Sequence, residues 1–218
     1  CGAALISAGQ FNLMFETKVG AGKDSTSAYL RPETAQGMFV NFKNVVDSFH
    51  PKLPFGLAQI GKAFRNEIAP RDFFFRTREF SQMEVEYFVR EKEWKKHFEK
   101  WRKTMWEWVD AIGLSREHVH EREVEPADRA HYSKRTIDLE YDFPSGKKEL
   151  YGLAYRGDFD LQNHSQASGV PLTYHDEFGS SGKEIFIPHV IEPSLGLERT
   201  IFAVLCDAYT EDGLGEGG

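Results

Sequence analysis

Hydrophobic spacing along the chain predicts three helices. Residues 34–49 carry apolar side chains at helical spacing, and Pro32 and Thr34 suit the start of that helix. Residues 91–112 give the clearest helical pattern. Its apolar stripe, which we expect to pack in a core, consists of Trp94, Phe98, Trp101, Met105, Trp108 and Ile112. A last helix is predicted from about Gly196, with an apolar face of Leu197, Ile201, Val204 and Ala208.

Alternation of apolar and polar residues predicts strands between these helices. Residues 55–67 and 78–89 have the pattern of two strands, and the arginine-rich segment between them becomes the long tip of a hairpin. One face of the second strand carries Met83, Val85, Tyr87 and Val89, and the other carries Phe80, Gln82, Glu84 and Glu86. Residues 126–161 are expected to form loops and strands. Residues 182–194 are expected to form one strand, with Ile185, Ile187 and Ile191 on one face.

The order of these elements predicts the fold class. Strands and helices do not alternate in βαβ order, which favours an α+β fold with an antiparallel β-sheet flanked by helices. The segment 20–27, GAGKDSTS, is interpreted as a loop and not as a phosphate-binding loop. Thr17 and Asp24 stand where that motif needs a glycine and a hydroxyl residue.

Composition narrows the classes of function. The 218 residues carry a formal net charge of −7, so any contact with a polyanion must come from a local basic cluster. The two cysteines, Cys1 and Cys206, provide no disulfide framework and suit a reducing, cytoplasmic compartment. No apolar run reaches membrane-spanning length, and no signal peptide is apparent. Because the first residue is not methionine, we expect a piece of a longer protein.

The predicted hairpin tip concentrates arginine in a chain that is acidic overall. The stretch FRNEIAPRDFFFRTREF, residues 64–80, holds four arginines, three carboxylates and three consecutive phenylalanines. Surface ion pairs would explain the charges alone. However, the neighbouring strand face carries glutamate, glutamine and phenylalanine, which would form a floor for a polar ligand. Guanidinium groups bind phosphate and aromatic rings stack on bases, so the combination indicates a nucleotide site. Nearby carboxylates indicate Mg²⁺ or an amine.

The C-terminal part of the chain offers a second piece of such a site. The segment EPSLGLER brings Glu192 and Ser194 to a strand end and Arg199 to the first turn of a helix. Helix N-termini attract anions through their free N–H groups and the helix dipole. A surface ion pair with Glu198 or with a neighbouring aspartate is the alternative role for Arg199.

These segments carry a family resemblance. FRNE, a loop and REF resemble motif 2 of class II aminoacyl-tRNA synthetases, and GLER at a helix start resembles their motif 3. LRPETAQGMF, QIGKAFRNE, QMEVEYF and VIEPSLGLER together are similar to glycyl-tRNA synthetases of the single-chain, homodimeric kind. The resemblance covers roughly residues 10–210.

The resemblance also implies a domain organisation. Residues 1–218 would be the catalytic core with motifs 2 and 3, including a helical and mixed insert at about 91–148. Motif 1 and the anticodon-binding domain would lie outside this sequence. The opening Cys1-Gly2 is compatible with the tail of a Cys-x-x-Cys metal knuckle seen in some relatives.

The resemblance assigns roles by matching positions. Arg65 would hold the α-phosphate of ATP, Arg76 the β- and γ-phosphates, and Phe80 would stack under adenine. Glu67 would contact the adenine end. Arg199 would clamp the γ-phosphate or the opposite adenine face, which makes Arg65 and Arg199 the catalytic pair. The remaining ATP-site positions are Asn66, Phe75, Glu149, Leu150 and Gly196.

A second implied set surrounds the amino acid. Its members are Glu33, Gln82, Glu84, Arg156, Glu192 and Ser194. Glu149 and Glu192 would lie near Mg²⁺ carried by ATP. The implied partners are ATP, glycine, tRNA(Gly) and, for the complete protein, a second copy of itself. The alternative to an amino-acid-binding role is structural: Glu33 caps a helix and Glu84 pairs with an arginine.

Two other functions remain open at the level of sequence. One is a non-catalytic accessory or regulatory protein that resembles a synthetase. Arg65, Glu67, Arg76, Phe80 and Arg199 argue against it, because such relatives usually lack these residues. The other is a class II synthetase for another small amino acid, such as serine, threonine or proline. The three glutamates together with EPS favour glycine.

Overall fold

The computed structural model describes residues 11–177 and 182–211. The metal knuckle considered for Cys1 lies outside the described residues. The described chain forms ten strands and four α-helices. In chain order they are β1 Glu16–Val19, β2 Thr26–Tyr29, α1 Ala35–Phe49, β3 Phe55–Phe64, β4 Glu79–Val89, α2 Trp94–Ala111, β5 Val119–Glu123, β6 Arg135–Phe143, β7 Gly146–Gly157, α3 Phe159–Ser168, β8 Tyr174–Asp176, β9 Glu184–Phe186, β10 His189–Gly196 and α4 Leu197–Ala208.

Six of the described strands form the main sheet, in the order β3-β4-β10-β7-β6-β5. Every neighbouring pair in it is antiparallel. The predicted α+β class with an antiparallel sheet is therefore confirmed. Residues 91–148, expected to form an insert, contribute α2 and also β5 and β6, which continue the main sheet on one side.

The two faces of the main sheet differ in what covers them. On one face, Val89, Ile137 and Leu153 pack with Phe98 and Met105 of α2, forming the larger core cluster, which Ala203 of α4 also joins. A second cluster, at the end of the sheet, joins α1 and α3 to Phe88 and Val190. Successive side chains on a strand point to opposite faces of a sheet. The middle of the other face carries the candidate functional site.

The predicted hairpin is present, but its first strand is shorter than expected. β3 ends at Phe64, so Arg65 and Glu67 lie in the tip and not on a strand. The Arg65 amide donates a last ladder bond of 3.0 Å to the Arg78 carbonyl, and the Glu67 amide then turns back to the Arg65 carbonyl at 2.7 Å. The tip is closed again by an isolated bridge between Arg71 and Arg76.

The predicted alternation along β4 is confirmed, yet the polar face is the more buried one. Gln82, Glu84 and Glu86 are buried, whereas Met83 and Val85 are only partly covered. The polar face lies under the site and among other charged groups. The apolar side near the edge strand β3 is covered incompletely.

In the second half of the chain two expectations were wrong and one helix was missed. Residues 182–194 form two strands, β9 and β10, because Pro188 interrupts the ladder; Ile185 is 68% exposed and Ile191 is fully buried. The helix α3 was not predicted. In α4 the buried residues are Thr200 and Ala203, and Ile201 of the predicted apolar face is exposed.

Thr200 can face the core because its hydroxyl is satisfied there. Thr200 Oγ1 donates to the Gly196 carbonyl at 2.7 Å and lies 3.1 Å from the Tyr151 hydroxyl.

None of the helices in the described part of the chain combines the length and apolar composition of a membrane span.

Candidate active site

A cavity of about 550 Å³ lies on the open face of the main sheet. Its floor comes from β4, β10, β7 and β6, and its rim comes from the hairpin tip and the connection between β5 and β6. All the predicted site residues line it except Asn66 and Arg156. The Asn66 backbone amide donates to the Leu13 carbonyl at 2.7 Å, which ties this part of the tip to the segment before β1.

Arg65 and Phe80 form one part of the cavity wall. The Arg65 guanidinium carbon lies 5.1 Å from the centre of the Phe80 ring, and Arg65 Nε donates to the Pro32 carbonyl at 3.2 Å. The backbone therefore fixes one edge of the guanidinium and the ring supports its face. The remaining N–H groups of Arg65 are placed to meet an anion in the cavity.

Arg199 lies near the same end of the cavity and connects α4 to β7 and to the hairpin tip. Its Nη1 donates to the Glu149 carbonyl at 2.8 Å, and its Nη2 donates to the Phe75 carbonyl at 3.4 Å. The Glu149 carboxylate pairs with the same guanidinium at 3.3 Å. A β-carbon at Gly196 would lie 3.3 Å from Arg199 Cδ, so glycine there leaves room for the arginine. Arg76 and Glu67 of the tip form a longer ion pair of 3.9 Å.

Arg156 organises the opposite, carboxylate-rich end. Its side chain is fully buried, and it grips Asp160 with two hydrogen bonds of 2.7 and 2.8 Å. Nη1 donates to Glu192 at 2.9 Å, and Nη2 lies 3.4 Å from Glu33. Arg156 thus acts from beneath the cavity, by holding two of its carboxylates in place.

Glu84 is satisfied almost entirely by the protein. Its Oε1 accepts from Gln82 Nε2 at 2.8 Å and from Ser194 Oγ at 2.9 Å. Its Oε2 accepts from the Thr34 amide at 3.0 Å and from the Thr34 hydroxyl. A carboxylate offers about four lone-pair positions, and these four donors use them. The Thr34 contacts also fix the start of α1 to the floor of the cavity.

Burial controls the ionisation of the carboxyl groups at this end. It raises the pKa of Glu192 to about 7; Arg156 opposes the rise, and Glu84 and Glu33 add to it. Burial likewise raises the pKa of Glu86 well above its usual 4.5, and Glu192 raises it further. Because Ile191 pairs with Tyr87 and Ser194 with Glu84, Glu192 and Glu86 are neighbours across β10 and β4.

The two carboxylates expected near Mg²⁺ lie at different ends of the cavity. Glu192 is opposite Ala154 in the sheet, five residues along β7 from Glu149, which corresponds to roughly 16 Å at about 3.3 Å per residue. Glu192 is also engaged by Arg156. Among the described residues, no group of three histidine, cysteine, aspartate or glutamate side chains is arranged to hold a metal ion. The half-exposed Glu149 suits an ion that keeps water and phosphate ligands.

Several cavity residues were missed at the level of sequence. Glu198 accepts the Ser81 amide on both carboxylate oxygens at 3.0 Å, and it could have been suspected from its place in GLER. Asp138 and Arg122 face the cavity from β6 and the end of β5, where burial raises the pKa of Asp138 to about 6. Tyr132 lies against Arg156, and no local pattern marked it.

The match to a known family completes the evidence from fold and geometry. Residues 15–208 match the family described as tRNA synthetase class II core domain (G, H, P, S and T). The chain belongs to this family. The class II core thus accounts for the antiparallel sheet, the long hairpin and the helix that begins at GLER.

Individual relatives resemble the chain over nearly its whole length. Proteins named "Glycine--tRNA ligase" from Staphylococcus aureus strains JH9 and Newman are each 50% identical to it over 209 residues. The match covers 94% of this class II core chain but only 44% of each relative. The chain therefore spans somewhat less than half the length of these relatives.

Proposed function

We propose that this chain is the catalytic core of a glycine–tRNA ligase, which activates glycine with ATP and transfers it to tRNA(Gly). The observation that carries the proposal is that one cavity has arginines at one end and buried carboxylates at the other. Its volume of about 550 Å³ lies within the range of about 300–1,000 Å³ typical of small-molecule sites. Its charges are complementary to a triphosphate at one end and an ammonium group at the other.

The arginine end suits the triphosphate and the base. Arg65 would bind the α-phosphate, with Phe80 beneath the adenine. Arg76 and Arg199 would bind the outer phosphates, and Glu67 would lie near the adenine end. Asn66, Phe75, Leu150 and Gly196 complete the proposed ATP-site positions. Glu149 is the residue that would hold Mg²⁺, which neutralises phosphate charge when bound.

The carboxylate end suits glycine. Glu33 and Glu192 face the cavity and keep acceptor capacity for an ammonium group, although Arg156 holds one oxygen of each. Glu84, Gln82 and Ser194 form a connected wall beside them. An added methyl group would have to displace hydrogen-bonded groups there, which costs more than filling an apolar pocket.

The chemistry follows from this arrangement. A glycine carboxylate oxygen attacks the α-phosphorus, the bond from that phosphorus to the bridging oxygen of the β-phosphate breaks, and pyrophosphate leaves with the electron pair. Negative charge grows on the phosphoryl oxygens, and Arg65 and Arg199 are placed to stabilise it. The enzyme forms no covalent bond. A hydroxyl of the 3′-terminal ribose of tRNA then attacks the glycyl carbonyl and releases AMP.

The proposal includes the setting of the reaction. Transfer requires tRNA(Gly), which would bind mainly through parts other than this acidic chain. A homodimer of the complete protein and a cytoplasmic location also remain predictions.

Amino-acid-dependent ATP–pyrophosphate exchange tests the function. It should be measured on the full-length gene product with glycine, serine, threonine, proline and histidine. We expect exchange that depends on glycine and is at least 100-fold weaker with the other four, because each carries a side chain. Exchange that depends on another of the five would reassign the substrate. Binding of ATP without exchange would support the non-catalytic alternative.

A further inference from the structure

Tyr132 comes from a segment that rises over the carboxylate end of the cavity. Between β5 and β6 the chain has no regular secondary structure over residues 124–134. From this segment, which we call the 124–134 arch, Val124, Asp128, Arg129, Ala130 and Tyr132 line the cavity. The arch therefore forms part of the cavity wall.

The 124–134 arch is held by its own hydrogen bonds. Arg129 spans its base, donating from Nε to the Val124 carbonyl at 2.8 Å and from Nη1 to the Lys134 carbonyl at 2.7 Å. The Ser133 amide donates to the Ala130 carbonyl at 2.8 Å. Because both ends and the interior are tied, the arch can present Tyr132 in a defined position.

Inside the arch, Tyr132 lies on the Arg156 guanidinium. The guanidinium carbon is 3.8 Å from the centre of the Tyr132 ring. The edges of that guanidinium are engaged by Asp160, Glu192 and Glu33, so the ring covers a face. Arginine stacks well on aromatic faces, because the ring quadrupole attracts the cation.

Tyr132 lines the same cavity as Glu33 and Glu192 of the proposed amino-acid pocket and Arg65 of the proposed ATP site. Burial raises the pKa of Tyr132 above its usual value, and Glu192 and Glu33 raise it further. Arg156 and Arg65 act in the opposite direction. Since the Tyr132 ring lies on Arg156, which holds Glu192 and Glu33, it borders the carboxylates proposed to hold the ammonium group.

We infer that Tyr132 is a specificity-determining residue, whose ring closes the amino-acid end of the cavity against substrates larger than glycine. The inference rests on the proposed function and adds a wall that comes from outside the matched synthetase motifs. Floor residues such as Ser194 limit the pocket on the side of the sheet, and Tyr132 limits it on the side of the 124–134 arch. The aromatic ring of Tyr132 forms this wall and its hydroxyl does not, so phenylalanine should serve in its place.

Discrimination between glycine and alanine tests the inference. We propose exchange assays on the full-length gene product with Tyr132→Ala, Tyr132→Leu and Tyr132→Phe. Tyr132→Ala should raise the kcat/KM for alanine relative to that for glycine by about 10–100-fold, since removing a pocket wall gives changes of this size. Tyr132→Leu should give a smaller rise, and Tyr132→Phe should keep the parent ratio. Glu125→Ala is a matched control, because Glu125 is exposed on the same arch and does not line the cavity.

The outcomes separate this inference from the proposed function. If the parent gives no glycine-dependent exchange, both fail. If the parent activates glycine but the alanine-to-glycine ratio is unchanged in the alanine and leucine variants, Tyr132 is only structural and the inference alone is overturned. The ratio is the decisive readout, because a purely structural defect would lower both rates together. Should Tyr132→Ala not fold, Tyr132→Leu decides by the same ratio, with the KM for ATP as the check that the rest of the site is intact.

Discussion

Ser194 Oγ donates a 2.9 Å hydrogen bond to Glu84 Oε1, and the two residues face each other in the register of β10 and β4. This contact joins two segments that are 110 residues apart in the sequence. Together with the donors of Thr34 and Gln82, the Ser194 hydroxyl fills the four acceptor positions of the Glu84 carboxylate. We therefore infer that Glu84 shapes the amino-acid end by fixing its neighbours, and that Glu33 and Glu192 are better placed to accept from an ammonium group.

Replacing Glu84 by glutamine should disturb both stability and glycine use. The new amide NH₂ would face two donors, so two hydrogen bonds would be lost at a buried site. We expect the free energy of unfolding to fall by about 1–3 kcal/mol and the kcat/KM for glycine to fall as well. Ser194→Ala, which removes one donor, should have a smaller effect. Urea unfolding and exchange kinetics check this; an unchanged stability in Glu84→Gln would show that the four-donor arrangement is not formed.

Arg65→Ala should nearly abolish adenylate formation. The substitution removes a guanidinium whose interaction with the phosphoryl oxygens strengthens in the transition state. A loss of about 100-fold or more in the kcat of exchange is expected from comparable electrostatic groups. Arg71→Ala is the matched control, because Arg71 is exposed on the same hairpin tip and does not line the cavity. Equal exchange rates in the two variants would contradict the role of Arg65.

Phe80→Ala should raise the KM for ATP more than the KM for glycine. Stacking of a base on an aromatic ring contributes about 1–3 kcal/mol, and the Phe80 ring also supports Arg65. Phe73→Ala provides the control, since Phe73 is 81% exposed and does not line the cavity. A larger effect on glycine than on ATP would place the adenine elsewhere.

Glu86→Gln should change how stability depends on pH. Within the described residues, both oxygens of the fully buried Glu86 lack a hydrogen-bond partner. Burial raises the folded-state pKa of Glu86, and Glu192, Glu84 and Asp160 add to the rise against Arg156. The folded state then keeps a proton that the unfolded state loses above its usual pKa of 4.5. Stability therefore falls as pH rises from that value toward the folded-state pKa.

The glutamine variant removes this contribution to the pH dependence. Its unfolding free energy should be less sensitive to pH over that window, by up to about 1.4 kcal/mol per pH unit. Urea unfolding between pH 4.5 and 8 measures the difference, with the exposed Glu125→Gln as a control. Identical pH slopes in parent and Glu86→Gln would mean that Glu86 is ionised in both folded and unfolded protein.

Local patterns predicted the elements that carry the arginine end. Alternation defined β4, and the charges of residues 64–80 marked the hairpin tip. Arg65, Phe80 and Arg199 could be proposed because they lie within short recognisable segments. The end of β3 was mistaken because the Glu67 amide turns back to the Arg65 carbonyl. The buried face of α4 was mistaken because the Thr200 hydroxyl meets Tyr151 from a distant part of the chain.

The carboxylate end depended on contacts that sequence patterns do not show. The helix α3 has weak amphipathic character, and an ion pair from Arg156 to Asp160 anchors its first turn. Tyr132 reaches the cavity only because the 124–134 arch folds over it. Such long-range packing leaves no periodic signal in the sequence.

A crystal structure of the protein with a non-hydrolysable glycyl-adenylate analogue tests the central claim most directly. The account predicts the adenine on the Phe80 ring, the phosphate mimic at Arg65, and the ammonium group within hydrogen-bond distance of Glu33 or Glu192. An analogue bound with its ammonium group at the arginine end, or bound outside the cavity on the open face of the main sheet, would contradict it.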